Sequence, residues 1–119
     1  MQAATKVSQR SATAASGQAV TIFAFSGDIA STSKEAILGA YQALPASATI
    51  LLLDFKGVDY INSSGIAIII QLLLEAHKSG ARKVAIFGLS AHFVKVFTMV
   101  GVAKYAGIFA DEAAALATL

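Results

Sequence analysis

Apolar and polar residues repeat along this chain with two different periods, and the switches between them mark out elements. Ala19–Ser26 (AVTIFAFS) sets Val20, Ile22 and Ala24 against Thr21, Phe23 and Phe25, an alternation that predicts a strand with two usable faces. Ahead of it, a short first strand near Thr5–Arg10 and a flexible Ser/Ala/Gly turn to Gly17 are expected, and Gly27-Asp28 is expected to break the second strand. Thr32-Ser33-Lys34-Glu35 is a capping-box pattern, in which the Thr32 hydroxyl serves the Glu35 amide and Glu35 reaches back. The helix that it opens turns Ile37, Leu38, Tyr41 and Leu44 inward and stops at Pro45.

Thr49–Phe55 (TILLLDF) is a continuous apolar run with one polar residue near its end, the pattern of a central strand covered on both faces. Lys56–Ile61 reads as a loop, and Asn62-Ser63-Ser64-Gly65 precedes a long helix that ends near Ser79 with Gly80 as its stop. Lys83–Phe87 (KVAIF) is a further buried strand. Ser90 caps a helix with Phe93, Val96, Phe97 and Val100 on its inner face, ended by Gly101. A short strand near Ile108 and a last helix from Asp111 to Leu119 complete the order β-β-α-β-α-β-α-β-α. That order predicts an α/β fold in a single domain over residues 1–119, with central strands parallel and helices packed on the sheet.

Composition then removes several function classes. Hydrophobic residues make up 56% of the 119 and charged ones 13%, about half the usual charged share of about 25%, which excludes a disordered tail or a charged coiled coil. The most apolar stretch, Ile66–Leu74, is interrupted by Gln71 and followed by Glu75, His77 and Lys78. A membrane span needs about 20 mostly apolar residues, so this is a core helix. The first residues lack the apolar core of a signal peptide, and a cytoplasmic location is expected. There is no Cys, and neither His77 nor His92 lies in a motif, so no metal site is expected. A net charge of +2 with no basic cluster beyond Arg82-Lys83 argues against a nucleic-acid partner.

Among catalytic patterns, Asp54 and Asp59 could border one crevice as paired carboxylates, but turn-capping is the ordinary role of Asp in such places. A nucleophile elbow would need a Gly two residues before the serine, which Asn62-Ser63-Ser64-Gly65 lacks. No phosphate-binding glycine loop is present. What remains is Asn62-Ser63-Ser64-Gly65 itself. One residue there serves as an N-cap, yet a cap does not account for two adjacent hydroxyls at a loop tip. A phosphate at a helix N-terminus is stabilised by the free amides and the dipole. It would bring about −1.5 to −2 charge to a sparsely charged surface. From Ser64, the residues Ala67, Ile68, Gln71, Glu75 and Lys78 follow along one helix face, small and uncharged near Ser63, which suits either a partner interface or a plain solvent face. On the following helix His92, Lys95 and Met99 form an outer stripe.

These stretches resemble a known family. A strand ending in Gly27-Asp28, then TILLLDFKGVDYINSSGIAIII, then KVAIFGLSAHFVKVFTMVGV, is similar to the STAS domain of bacterial anti-sigma factor antagonists over about residues 19–119, leaving 1–18 as the short first strand and turn. The most specific part runs from Asp54 through Gly57 and Ile61 to Asn62-Ser63-Ser64-Gly65-Ile66, and Phe93, Phe97 and Gly101 match the family's later helix. The resemblance implies a four- to five-stranded mixed sheet with about four helices, and a binding module with no catalysis or cofactor of its own. Its implied partners are a GHKL-type anti-sigma factor/serine kinase, which phosphorylates and releases it, and a metal-dependent serine phosphatase, which restores it. Ser63 is the implied phospho-acceptor, with Ser64 second, and Asp28, Ile29, Asn62, Ser63, Ser64, Ala67, Ile68 and Gln71 form the implied partner surface. STAS-like domains also serve as transporter or scaffold subunits and as small-ligand or nucleotide sensors. Two positions depart from the antagonist pattern: Asn62 stands where Asp is usual, and Gly27-Asp28-Ile29-Ala30 lacks the later acid of Gly-Glu-Leu-Asp.

Overall fold

Five strands join in one sheet in the same order as they occur in the chain. The computed structural model describes residues 5–80 and 82–119. The elements are β1 (Lys6–Thr13), β2 (Ala19–Ile29), α1 (Lys34–Gln42), β3 (Ile50–Ile61), α2 (Ser63–Ser79), β4 (Lys83–Phe87), α3 (Ala91–Met99), β5 (Gly107–Phe109) and α4 (Glu112–Thr118). Short 3₁₀ turns occupy Ser31–Ser33 and Val102–Lys104. β1 is antiparallel to β2, and β2 to β5 are parallel, so the sheet is mixed with parallel central strands.

This sequential order decides where the helices go. Each parallel connection steps in the same direction across the sheet, and right-handed crossovers place every such helix on the same face. Residues of α1, α2 and α3 accordingly share one core with Phe23, Phe25, Leu51, Leu53, Phe55, Val84 and Ile86. At its centre Phe55 lies edge-on to both Phe25 (5.2 Å) and Phe97 (5.7 Å). The opposite face, with Val20, Ile22, Leu52, Ala85 and Phe87, packs against Ala115 and Leu119 of the C-terminal segment. The alternation expected in β2 is therefore real, with Phe23 and Phe25 on one face and Val20 and Ile22 on the other.

Several boundaries differ from the sequence expectation. β1 runs on to Thr13, paired from Lys6↔Ser26 to Thr13↔Ala19. Its outward residues are polar because it lies at the sheet edge, which hides it from a hydrophobic pattern. The turn after it is tied down: Ala14 N–H donates to Gln18 O at 2.9 Å and Ala15 N–H to Leu116 O at 2.9 Å. β2 does not break at Gly27-Asp28, nor does β3 become a loop at Lys56. The two pair on through Ser26↔Gly57, Gly27↔Val58, Asp28↔Tyr60 and Ile29↔Ile61. The register slips twice, each time by one extra residue on β3, and Gly27 (φ +83) supplies the left-handed conformation at the second irregularity.

The capping box is also corrected. Ser33, not Thr32, organises the start of α1: its Oγ accepts the Ala30 N–H at 2.9 Å and meets the Thr5 hydroxyl. α1 ends at Gln42, so Leu44 is buried beyond the helix rather than within it. Val100 is 48% exposed, because α3 ends at Met99 and the chain turns away before Val100 can use the inner stripe. No helix is long and apolar enough to cross a membrane among the described residues.

Candidate functional site at the start of the second helix

The long pairing of β2 with β3 carries Ile61 to the sheet's C-terminal edge beside Ile29, and α2 starts directly from that edge. Three backbone-centred bonds hold the junction. Asn62 N–H donates to Ile29 O at 3.1 Å, Asn62 Oδ1 accepts the Gly65 N–H at 2.8 Å, and Asn62 O accepts the Ile66 N–H at 3.0 Å. Asn62 is thus the N-cap, extended at φ −86°, ψ 179°, and it satisfies one of the free amides of the first turn.

Gly65 makes the junction tight. A Cβ on Gly65 would lie 2.3 Å from Ile29 O, and real Cβ atoms do not approach so closely, so only glycine lets the first turn of α2 rest on the end of β2. By sequence Gly65 is only the end of a polar motif. A glycine in the first turn of an apolar helix is nonetheless a signal that a backbone passes close by.

Ser63 and Ser64 both stand exposed on this first turn, where neither acid nor base is present. Ser64 also lines a shallow depression of about 240 Å³ with Ser31, Lys34, Ala67, Ile68 and Gln71. Lys34 and Gln71 extend into a second hollow along α1, bounded by Glu35, Leu38, Gly39 and Gln42. Together they form a groove between α1 and α2 whose single acid, Glu35, neighbours its single base, Lys34.

The residues expected at a partner surface therefore divide. Ser64, Ala67, Ile68 and Gln71 meet in one depression, and Ser63 flanks it on the helix. Ile68 is buried and offers only a small patch at the floor. Ile29 must be removed from the contact surface: its side chain is 0% exposed, and what it contributes is the carbonyl that receives Asn62. Asp28 is half-buried, and its carbonyl accepts the Thr5 hydroxyl. Farther along α2, Glu75 is half-buried and Lys78 exposed.

The sequence pattern misses an aromatic group. Tyr60, 54% exposed on the strand end that leads into Asn62, packs edge-on to Phe93 at 6.0 Å, and His92 joins Phe93 at 4.9 Å. Phe93, expected on the inner stripe of α3, is half-buried and turns an edge to Tyr60. Reading Lys56–Ile61 as a loop conceals this, since a loop assigns no direction to Tyr60.

Asp54 and Asp59 do not form a carboxylate pair. Asp54 is 6% exposed and its Oδ1 accepts the Lys56 N–H at 2.9 Å, while Oδ2 lies 3.7 Å from Arg10 Nη2; Asp59 is exposed. Arg10 also makes a two-pronged contact with Glu112 of α4. Hydrogen bonds from Arg10 hold the Glu112 carboxyl below its ordinary range, and the same contact raises the Arg10 guanidinium. Among the described residues no three His, Asp or Glu side chains gather as a metal site would require.

A mixed sheet with three helices on one face and an exposed hydroxyl pair at the start of the second crossover helix defines a STAS-type α/β domain. The chain belongs to the STAS domain family: the family model described as "Mlab, STAS domain" matches residues 11–110. That match starts within β1 and stops before α4, whereas the resemblance by motif covers about 19–119.

Among solved structures, the anti-sigma factor antagonist SpoIIAA superposes in its unphosphorylated form with a TM-score of 0.66 at 13% identity, over 90% of each chain. The phosphorylated form from Bacillus gives 0.66 at 16% identity, over 92% of this chain and 96% of that one. The murine Solute Carrier 26 family member A9 anion transporter gives 0.65 at 19% identity over 83% of this chain, which spans only 18% of the transporter. The chain likewise spans 17% of Mglu, matched at 24% identity and a TM-score of 0.51 over 56% of this chain. No curated protein matches the sequence.

Proposed function

We propose that this protein is an anti-sigma factor antagonist that works as a phospho-switched binding module in the cytoplasm, without catalysis of its own. Unmodified, it holds a GHKL-type anti-sigma factor/serine kinase against the first turns of α2. Phosphorylation of Ser63 by that kinase releases it, and a metal-dependent serine phosphatase restores it. The observation that carries this reading is the placement of Ser63: exposed on an uncharged first turn, beside a shallow groove with Ser64, Ala67 and Gln71 on its wall. A phosphate there would be stabilised within this chain by the amides of α2, so the modified state costs the fold little. It would leave a partner packed over the groove facing about −1.5 to −2 charge, more than the groove's single base, Lys34, can offset. Binding to the cognate kinase should be lost in Ser63→Asp and constitutive in Ser63→Ala; equal binding by both variants would refute the switch.

A second reading has specific support. The matching family is the one described by Mlab, a SulP transporter STAS domain shares the fold, and Asn62 replaces the acid usual before the antagonist serine. On that reading the same surface is a permanent contact in a larger assembly. Intact-mass measurement of the protein from its native source separates the two, since a permanent subunit shows no phosphate adduct.

A further inference from the structure

The other end of α2 carries a second feature. Its last turn, the start of β4 and the 3₁₀ turn before β5 border an open cavity of about 280 Å³. His77 comes from α2, Arg82 and Lys83 from the entry to β4, Lys104 from the 3₁₀ turn and Tyr105 from the residue after it. Gly107 at the start of β5 completes that side. His77 is fourteen residues along the helix from Ser63, about 21 Å at 1.5 Å per residue, so this cavity is separate from the serine site.

Three of the nine Lys and Arg residues of the chain line this one cavity, and no acid does. Part of that has a structural explanation. The Arg82 Nε donates to Ala48 O at 2.8 Å and its Nη2 to Pro45 O at 2.9 Å, with the guanidinium 5.0 Å from the Tyr41 ring. Arg82 thus fastens the loop after α1, but carbonyls do not neutralise it. His77 sits in the last turn of α2 and lies edge-on to Tyr105 at 5.1 Å. Neither explanation reaches Lys83 and Lys104, which are exposed, come from different elements, and have no carboxylate partner among the described residues, where the ion pairs are those of Arg10. Like charges gathered in one hollow repel one another, and a bound anion relieves that repulsion.

We propose that this cavity binds the phosphate group of a phosphomonoester, carried by a soluble metabolite or by a lipid headgroup. Lys83 and Lys104 supply the contact charges, Tyr105 and His77 the hydrogen-bond donors, and Arg82 a fixed background charge. Convergent cations from the entry to β4 and the 3₁₀ turn favour a compact ion of more than one negative charge, and a phosphomonoester carries about −1.5 to −2 at neutral pH. The volume of about 280 Å³ lies just under the lower limit for small-molecule sites, about 300 Å³, which suits a phosphomonoester better than a dinucleotide. The proposal does not depend on the switch at Ser63.

The test is an NMR titration of the whole protein with inorganic phosphate, with ionic strength held constant by potassium chloride. Saturable amide shifts are expected at Lys104, Tyr105 and Gly107, and the Lys83→Gln/Lys104→Gln variant should bind about tenfold more weakly, or worse, as two contact charges are lost. Both lysines are exposed and their removal relieves the repulsion, so a melting temperature no lower than that of the wild type certifies the variant's fold. Shifts reproduced by chloride alone, or undiminished in the variant, would overturn the assignment. Glycerol 3-phosphate and phosphatidylcholine vesicles carrying phosphatidic acid then identify the source. Binding of the soluble ester alone assigns a free metabolite, vesicle binding that the variant loses assigns a lipid headgroup, and binding of neither overturns the site.

Discussion

The two faces of the sheet use the same strands and are built differently. One face is roofed by α1, α2 and α3 over an apolar layer that includes Phe25, Phe55 and Phe97. Over the other, α4 is the one helix among the described residues, joined by Ala14 of the turn after β1 and by Leu119, and towards β1 that face gives way to the Arg10, Asp54 and Glu112 cluster. The cause is topological: three successive crossovers of one hand fill one face, and the segment after β5, bound by no such crossover, reaches the other. The candidate binding surface belongs to the filled face, because α2 can present Ser63 in a constant position only if its inner stripe is locked. The thin face adds lesser increments of stability, some of them dependent on charge.

Breaking that contrast should give graded effects. Phe55→Ala removes the ring that joins Phe25 to Phe97, and a loss of about 3–5 kcal/mol is expected in denaturant unfolding. Gly65→Ala places a Cβ against Ile29 O. It should cost about 3 kcal/mol as α2 is pushed off the end of β2, and NMR should show the displacement at Asn62 and Ser63 while β4 and β5 stay unchanged. On the thin face, Leu116→Ala trims a half-buried side chain of α4, and a loss of about 1–2 kcal/mol is expected by the same measurement. If this last change cost as much as Phe55→Ala, the unequal roles of the two faces would be wrong.

The smallest effect is also the one that depends on pH. Arg10 holds the Glu112 carboxyl below its ordinary value in the folded state. The folded form therefore binds that proton less readily than the unfolded chain, so the pair stabilises above the unfolded pKa, about 4.3. That contribution disappears as pH falls through the lower folded value. Both side chains are partly exposed, so Glu112→Gln should lower stability by no more than about 1 kcal/mol at neutral pH. Melting curves of wild type and variant should converge in acid, and high salt should narrow the gap at neutral pH.

Much of the filled face is legible in the amino-acid pattern. The inner stripe of α1, the two faces of β2, the apolar run of β3 and the Asn62 start of α2 all follow from contacts within a few residues. The failures share one origin. Lys56–Ile61 is polar enough to read as a loop, yet it remains a strand because β2 continues beside it and two bulges absorb the mismatch. Thr32 looks like the better cap by spacing, but Ser33 takes the role because Ala30 N–H and Thr5 come to it. Ile29 reads as part of a contact surface and is covered instead by the turn of α2 that Gly65 permits.

Local pattern dictates the set of elements, their order and the uncharged helix start that carries Ser63 and Ser64, since periodicity and capping are local and each residue's neighbours are its own chain. Partnership is a property of the folded chain: β1 as the antiparallel edge, Arg10 bridging Asp54 and Glu112, the groove between α1 and α2, and Lys83 meeting Lys104 beside His77. Those meetings depend on register and crossover hand, which act across tens of residues and leave no spacing in the sequence by which to read them.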